Sequence, residues 1–137
     1  MDSERRAETL AWIGKAQQDL DAAALIAAHA GPETVGCYLC RQGQGMEKFL
    51  KAMLVLHGEV PPKTHDLAEL HRRVAGAGED PVLPIDDLAL WTDYATAARY
   101  PGFGDPQAAL DLPPMLAAAV DLAARVRARV DTVAVTR

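Results

Sequence analysis

Several groups of residues in this 137-residue chain have types and spacings that suit chemistry. Cys37 and Cys40 have two residues between them, the separation of zinc knuckles and dithiol redox pairs. They fall inside a helical pattern, no second pair exists, and His29, His57, His65 and His71 form no metal-ligand spacing with them. Two small side chains, buried or half-buried, are therefore expected there, with metal or redox use as the other reading. Asp86 and Asp87 are adjacent, which on a helix points them about 100° apart and makes them poor co-ligands for one ion; capping the helix that follows suits them better. Arg125, Arg127 and Arg129 alternate, so Arg127 projects about 200° from its neighbours and solvated surface is expected instead of one basic patch.

The densest polar run is Arg41-Gln42-Gly43-Gln44-Gly45-Met46-Glu47-Lys48-Phe49-Leu50-Lys51. Each mid-helix glycine costs about 1 kcal/mol relative to alanine, so a close approach by another helix or a second subunit must compensate. Glu47 and Lys51 fit an exposed i, i+4 pair, with Gln42 and Gln44 solvated. The alternative is a polar surface turned toward a ligand or partner. At His65-Asp66, Thr64 fits an N-cap, and Asp66 lies in the first turn, where the helix dipole favours negative charge.

Proline punctuation defines the elements that must position these residues. The nine prolines stand at 32, 61, 62, 81, 84, 101, 106, 113 and 114, and each disfavours helix just before it. The first block, from Ser3 to about His29, carries Leu10, Ile13, Gln17, Leu20, Ala24 and Ala27 at three- and four-residue steps and predicts a long amphipathic helix. A second, from Glu33 to about Leu56, repeats the pattern through Val35, Tyr38, Leu39, Gln42, Met46, Phe49, Leu50, Met53 and Leu56. A short third helix is expected from Thr64 to Val74 or Ala75, and a fourth from Ile85 to Ala98. The fifth should start near Asp111, with Pro113 and Pro114 tolerated in its first turn, and run to Val130. No strand pattern or repeat is present. The expectation is one all-α domain over residues 1–137, an antiparallel up-and-down bundle of about five helices. Two long helices facing three short ones would leave apolar surface for a two-fold partner copy.

Composition narrows the function. Hydrophobic residues make up 50% of the chain but aromatics only 5%, which gives an alanine- and leucine-rich core and favours helix. The net charge of −5 argues against nucleic-acid binding by bulk charge, though not against a local basic patch. The longest stretch free of Asp, Glu, Lys and Arg, Ala22 to Pro32, falls far short of a membrane span of about 20 residues. A charged amino terminus without an apolar segment after it, and only two cysteines, point to the cytoplasm.

Four stretches converge on one family: Gln44 with Glu47-Lys48-Phe49-Leu50-Lys51-Ala52; Pro61-Pro62-Lys63-Thr64-His65-Asp66-Leu67; Arg99-Tyr100-Pro101; and Trp12, Ala16, Asp19-Leu20 and Ala22-Ala23 of the first helix. In their order along the chain they resemble the HEPN domain (higher eukaryotes and prokaryotes nucleotide-binding) over nearly its whole length. Where that family usually has a glutamine pair, Gly43 takes the first place and Gln44 remains. The resemblance implies a helical bundle that often dimerises, is encoded beside a small nucleotidyltransferase and is similar to the helical domain of aminoglycoside nucleotidyltransferases. It also implies a cleft in which Gln44, Lys48, Lys51, His65, Asp66 and Arg99 meet a nucleotide phosphate or a partner, and Tyr100 stacks on a base.

Many HEPN proteins are toxins or metal-independent RNases that use an arginine and a histidine with four to six residues between them. The positions five to seven before each histidine here are Ala22 to Ala24, Leu50 to Ala52, Gly58 to Val60 and Thr64 to Asp66, and none is arginine. Nucleotidyl transfer by this chain is likewise disfavoured: the only serine is Ser3, and no paired metal-binding aspartates stand on a sheet. The expectation is a non-catalytic nucleotide- or partner-binding module that needs no cofactor, forms a homodimer and works with a separately encoded nucleotidyltransferase, as in a toxin–antitoxin pair. The rival reading is an RNase or toxin with an atypical site of His65 and Arg99.

Overall fold

Alanine and leucine at helical spacing carry the chain into five α-helices in the computed structural model, which describes residues 1–29, 35–96 and 108–133. They are α1 (Ser3–Ala28), α2 (Val35–Leu56), α3 (Leu67–Gly76), α4 (Leu88–Thr96) and α5 (Ala108–Thr132), with a 3₁₀ turn at Ile85–Asp87 leading into α4. Among the described residues there is no strand, and no helix is long and apolar enough to cross a membrane. The expected all-α bundle is what forms.

α2 is the axis of the bundle and packs against α1, α3, α4 and α5. Its apolar positions, Leu39, Met46, Phe49, Leu50 and Met53, are fully buried, and so are Ala52 and Leu54 on other faces. α1 runs antiparallel beside it: Arg5 lies against Gly58, Trp12 against Lys51, and Asp19 reaches Lys48. The buried face of α1 differs from the one its periodicity suggests. Thr9, Ile13, Ala16, Asp19 and Ala23 turn inward, while Leu10 is exposed. The reason is closeness: the small residues Ala16 and Ala23 let the backbones approach. The polar members of this face are satisfied, Thr9 by donating its hydroxyl to the Arg5 carbonyl and Asp19 by ion pairing.

Three helix boundaries also differ. α3 begins at Leu67 and its cap is Asp66, whose Oδ1 accepts from the Ala68 and Glu69 amides; Thr64 instead accepts the Asp66 amide. A carboxylate at the N-cap reaches two free amides of the first turn, which a threonine two residues earlier does not. Asp86 and Asp87 form the 3₁₀ turn and make no side-chain cap to it. α5 starts at Ala108, so Pro113 and Pro114 fall in its second turn, and it is as long as its neighbours instead of short. The predicted end of the fourth helix, residues 97 and 98, lies outside the described residues.

Candidate functional site

On a helical wheel, Cys40, Arg41, Gln44, Glu47, Lys48 and Lys51 of α2 fall within an arc of about 120°. This arc forms a polar face flanked by α1 on one side and α4 on the other. The two glycines explain how the flanking helices come so close. A Cβ at Gly45 would lie 2.6 Å from Leu20 Cδ2 and 3.2 Å from the Ala16 carbonyl on α1. One at Gly43 would lie 2.5 Å from Ala95 Cβ on α4. Gln44 sits between these contacts and donates to Cys40 Sγ at 3.3 Å, while the Cys40 thiol donates to the Ala95 carbonyl. The close approach that the glycines call for is thus made by helices of the same chain.

Asp19 is the anchor of this face. Arg41 donates to its Oδ1 at 2.9 Å and Lys48 to its Oδ2 at 2.6 Å, the two cations coming from positions two helical turns apart. The carboxylate side chain is 4% exposed, against 51% for Arg41 and 29% for Lys48. The acid is therefore inside and its cations are at the surface. Each cation spends one N–H on Asp19, which leaves further donors of a guanidinium and an ammonium for an anion arriving from solvent.

Next along α2, Lys51 donates to Glu47 Oε2 at 3.0 Å, with side chains only 8% and 7% exposed. The expected surface pair is a buried one. It is sheltered by Trp12, whose ring centroid lies 5.7 Å from Lys51 Nζ, and by His65, whose Nδ1 lies 2.9 Å from Glu47 Oε1. With the carboxylate accepting, Nδ1 is the donor and Nε2 of this exposed imidazole takes no part in the contact.

Of the residues singled out from the sequence, Gln44, Lys48, Lys51 and His65 come together on this face. Asp66 is next to His65, but its carboxylate is committed to capping α3. Arg99 and Tyr100 lie outside the described residues. Gln42, expected to be solvated, is buried. Cys37 is exposed instead of packed, and among the described residues no group of three or more His, Cys, Asp or Glu is placed to hold a metal ion. Sequence reasoning missed Asp19, Arg41 and Trp12 as members of the site. One signal was available, since Asp19 falls in step with Thr9, Ile13, Ala16 and Ala23, an acid on a face of small residues that only an intrachain cation can make tolerable.

Another buried acid lies in the connection after α3. Buried Glu79 accepts from Arg129 Nε at 2.7 Å and lies 3.0 Å from His57 Nε2, with Arg125 4.0 Å away. Burial alone would raise its pKa, but the hydrogen bonds and charges of Arg129 and His57 outweigh it and hold the carboxyl below its ordinary value. Arg125 and Arg129, expected to be solvated, thus share one acid, while Arg127 points away and donates to Gln17 on α1. Nearby on α3, burial lowers the pKa of His71 and the charge of Asp80 partly opposes that.

A family model described as the HEPN domain matches residues 9–130, which include every described residue of the α2 face and its flank on α1. No curated protein and no solved structure matches the chain.

Proposed function

The chain belongs to the HEPN family, and from that premise we propose that its α2 face is a non-catalytic binding site for the phosphate groups of a nucleotide. The observation that carries this reading is the arrangement at Asp19: a buried acid holds Arg41 and Lys48 in place and leaves both cations facing solvent. Preorganised donors of this kind bind an anion without first paying to order long side chains. Gln44 and His65 extend the donor set along the same face, and Arg99 and Tyr100 are proposed to complete it with a further cation and a stacking ring.

In this reading the chain works beside a separately encoded nucleotidyltransferase, in a toxin–antitoxin-like pair, and the bound nucleotide belongs to that partnership. Exposed Leu25 on α1 and Leu116 and Val120 on α5 offer apolar surface to a second copy, which supports a homodimer. Titration calorimetry with ATP tests the site. Binding that Lys48→Ala weakens about tenfold is expected; absence of binding by the wild-type chain overturns the reading.

One observation favours the alternative, a metal-independent RNase. Glu47 engages Nδ1 of His65 and so orients an imidazole whose other nitrogen is uncommitted, the geometry of a general base. Incubation with RNA in the presence of EDTA separates the two. Cleavage lost in His65→Ala would establish the enzyme, whereas intact RNA leaves binding as the function.

A further inference from the structure

We propose that the outer surface of the α3–α4 connection and of α4 docks a basic, amphipathic segment of another protein. Exposure alternates along the connection: Glu79, Pro81 and Leu83 are buried, whereas Asp80, Val82 and Pro84 face solvent. Glu79, through its ion pairs, and Leu83, in the hydrophobic core, fasten the inner side, so the outer residues are displayed at fixed positions. Val82 is displayed against its own preference. Among the described residues it is the one non-glycine with a positive φ, 53°, where a β-branched side chain is strained, and Asp80 Oδ1 holds that turn by accepting the Val82 amide at 2.8 Å. The side chain is 41% exposed, so the strain secures no burial within the chain.

The apolar display continues into α4. Ile85 in the 3₁₀ turn is 67% exposed and Leu90 is 41% exposed. Leu88, Trp91 and Ala95 take the inner face of the helix; Leu90 lies about 200° from Leu88, with Asp86 four residues before it and Asp93 three after. Charge selects the occupant. From Val74 to Ala98 the sequence holds Glu79, Asp80, Asp86, Asp87 and Asp93 but no Lys, Arg or His, and among the described residues only Glu79 of these acids forms an ion pair. Apolar side chains rimmed by free carboxylates repel nucleic acid and anionic lipid. They suit a segment whose apolar anchors stand between lysines or arginines. A second copy fits less well, because a two-fold contact would set this acidic ridge against itself. The proposal is independent of the anion site on α2.

The test uses the full chain and the fluorescence anisotropy of a labelled synthetic amphipathic helix of leucine and lysine, with a leucine–glutamate peptide of the same pattern as control. The leucine–lysine peptide is expected to bind and the control is not. Ile85→Ser with Leu90→Ser should weaken binding about tenfold by removing apolar area that the complex buries. Asp86→Asn with Asp93→Asn should weaken it about fivefold at low salt and less at high salt, because exposed charges are screened. Glu4→Gln with Glu8→Gln, at exposed acids of α1, should leave it unchanged. All six side chains are exposed, so circular dichroism and the urea midpoint should stay close to the wild type. Val82→Gly should raise the unfolding temperature and still weaken the peptide. Absence of binding by the leucine–lysine peptide overturns the proposal. Affinity that ignores Ile85→Ser with Leu90→Ser, or falls as much with the α1 acids as with those of α4, also overturns it and leaves general charge attraction. Self-association in sedimentation that Ile85→Ser with Leu90→Ser abolishes overturns it in favour of a second copy.

Discussion

Asp19 and Glu79 are both buried carboxylates met by more than one cation, yet they occupy opposite kinds of surroundings. Asp19 lies midway along α1, where Gly45 and Ala16 already hold α1 and α2 in close contact, so its ion pairs add little to what packing secures. Glu79 lies in a connection outside the helices and ties the end of α2, through His57, to the last turns of α5, through Arg129 and Arg125, so its ion pairs fasten the connection itself to the bundle. An acid whose neighbours are already fixed can spend its charge on orienting cations toward solvent. One that bridges separate elements spends it on holding them together.

This contrast predicts a double dissociation. Glu79→Gln should destabilise the fold by about 2 kcal/mol, a figure discounted for the partial exposure of its cations, and leave ATP affinity unchanged. Asp19→Asn should cost about 1 kcal/mol but weaken ATP by about tenfold, because Arg41 and Lys48 lose the anchor that aims them. Urea unfolding and calorimetry measure the two quantities. If Glu79→Gln is the change that abolishes binding, the two acids do not divide the work in this way. The pH dependence of the larger effect follows from its sign. Glu79 has a folded pKa below its ordinary 4.5, so its stabilisation is complete above that value and is lost as pH falls through the folded pKa. Glu79→Gln should remove this acid step.

Gly43→Ala has the next largest effect. The added methyl would lie 2.5 Å from Ala95 Cβ and 3.1 Å from its Cα, so the α4 backbone must move. Overpacking costs about 1–3 kcal/mol, offset by about 1 kcal/mol from alanine's helix propensity. At Gly45 the first obstacle is the end of the Leu20 side chain, which can rotate, so Gly45→Ala should cost less. Equal losses in thermal unfolding would mean that α1 and α4 grip the polar face alike.

The helices were legible because proline placement and apolar spacing act locally, and five of them occur close to where the sequence puts them. The N-cap of α3 and the start of α5 were misplaced because each depends on which nearby group reaches the free amides, a three-dimensional matter. The site was half legible. Lys48, Lys51 and His65 stand out as charged residues in motifs, whereas Asp19 and Trp12 are spread through an alanine-rich helix whose inward face is set by contact with α2. Glu47 was visible, but its burial depends on the covering Trp12 and His65, residues far away in sequence.

The smallest expected effect lies beside the Glu79 bridge. Half-buried His71 has its pKa lowered first by burial, which disfavours the imidazolium, against an opposing pull from Asp80. The folded chain therefore binds fewer protons than the unfolded one between the depressed value and 6.5. Stability contributed by neutral His71 is complete above 6.5 and lost as pH falls through that window. Asp80→Asn removes the opposing attraction, so the His71 pKa should fall further and the loss extend to lower pH, as proton NMR of the imidazole and unfolding at several pH values can follow. His71→Gln should flatten this upper step and leave the lower, Glu79-dependent step in place. Two separable steps would show that His71 on α3 and Glu79 in the connection after it sense acid independently. A single step abolished by either substitution would instead make His71 part of the same electrostatic unit as Glu79, and the bridge would reach into α3.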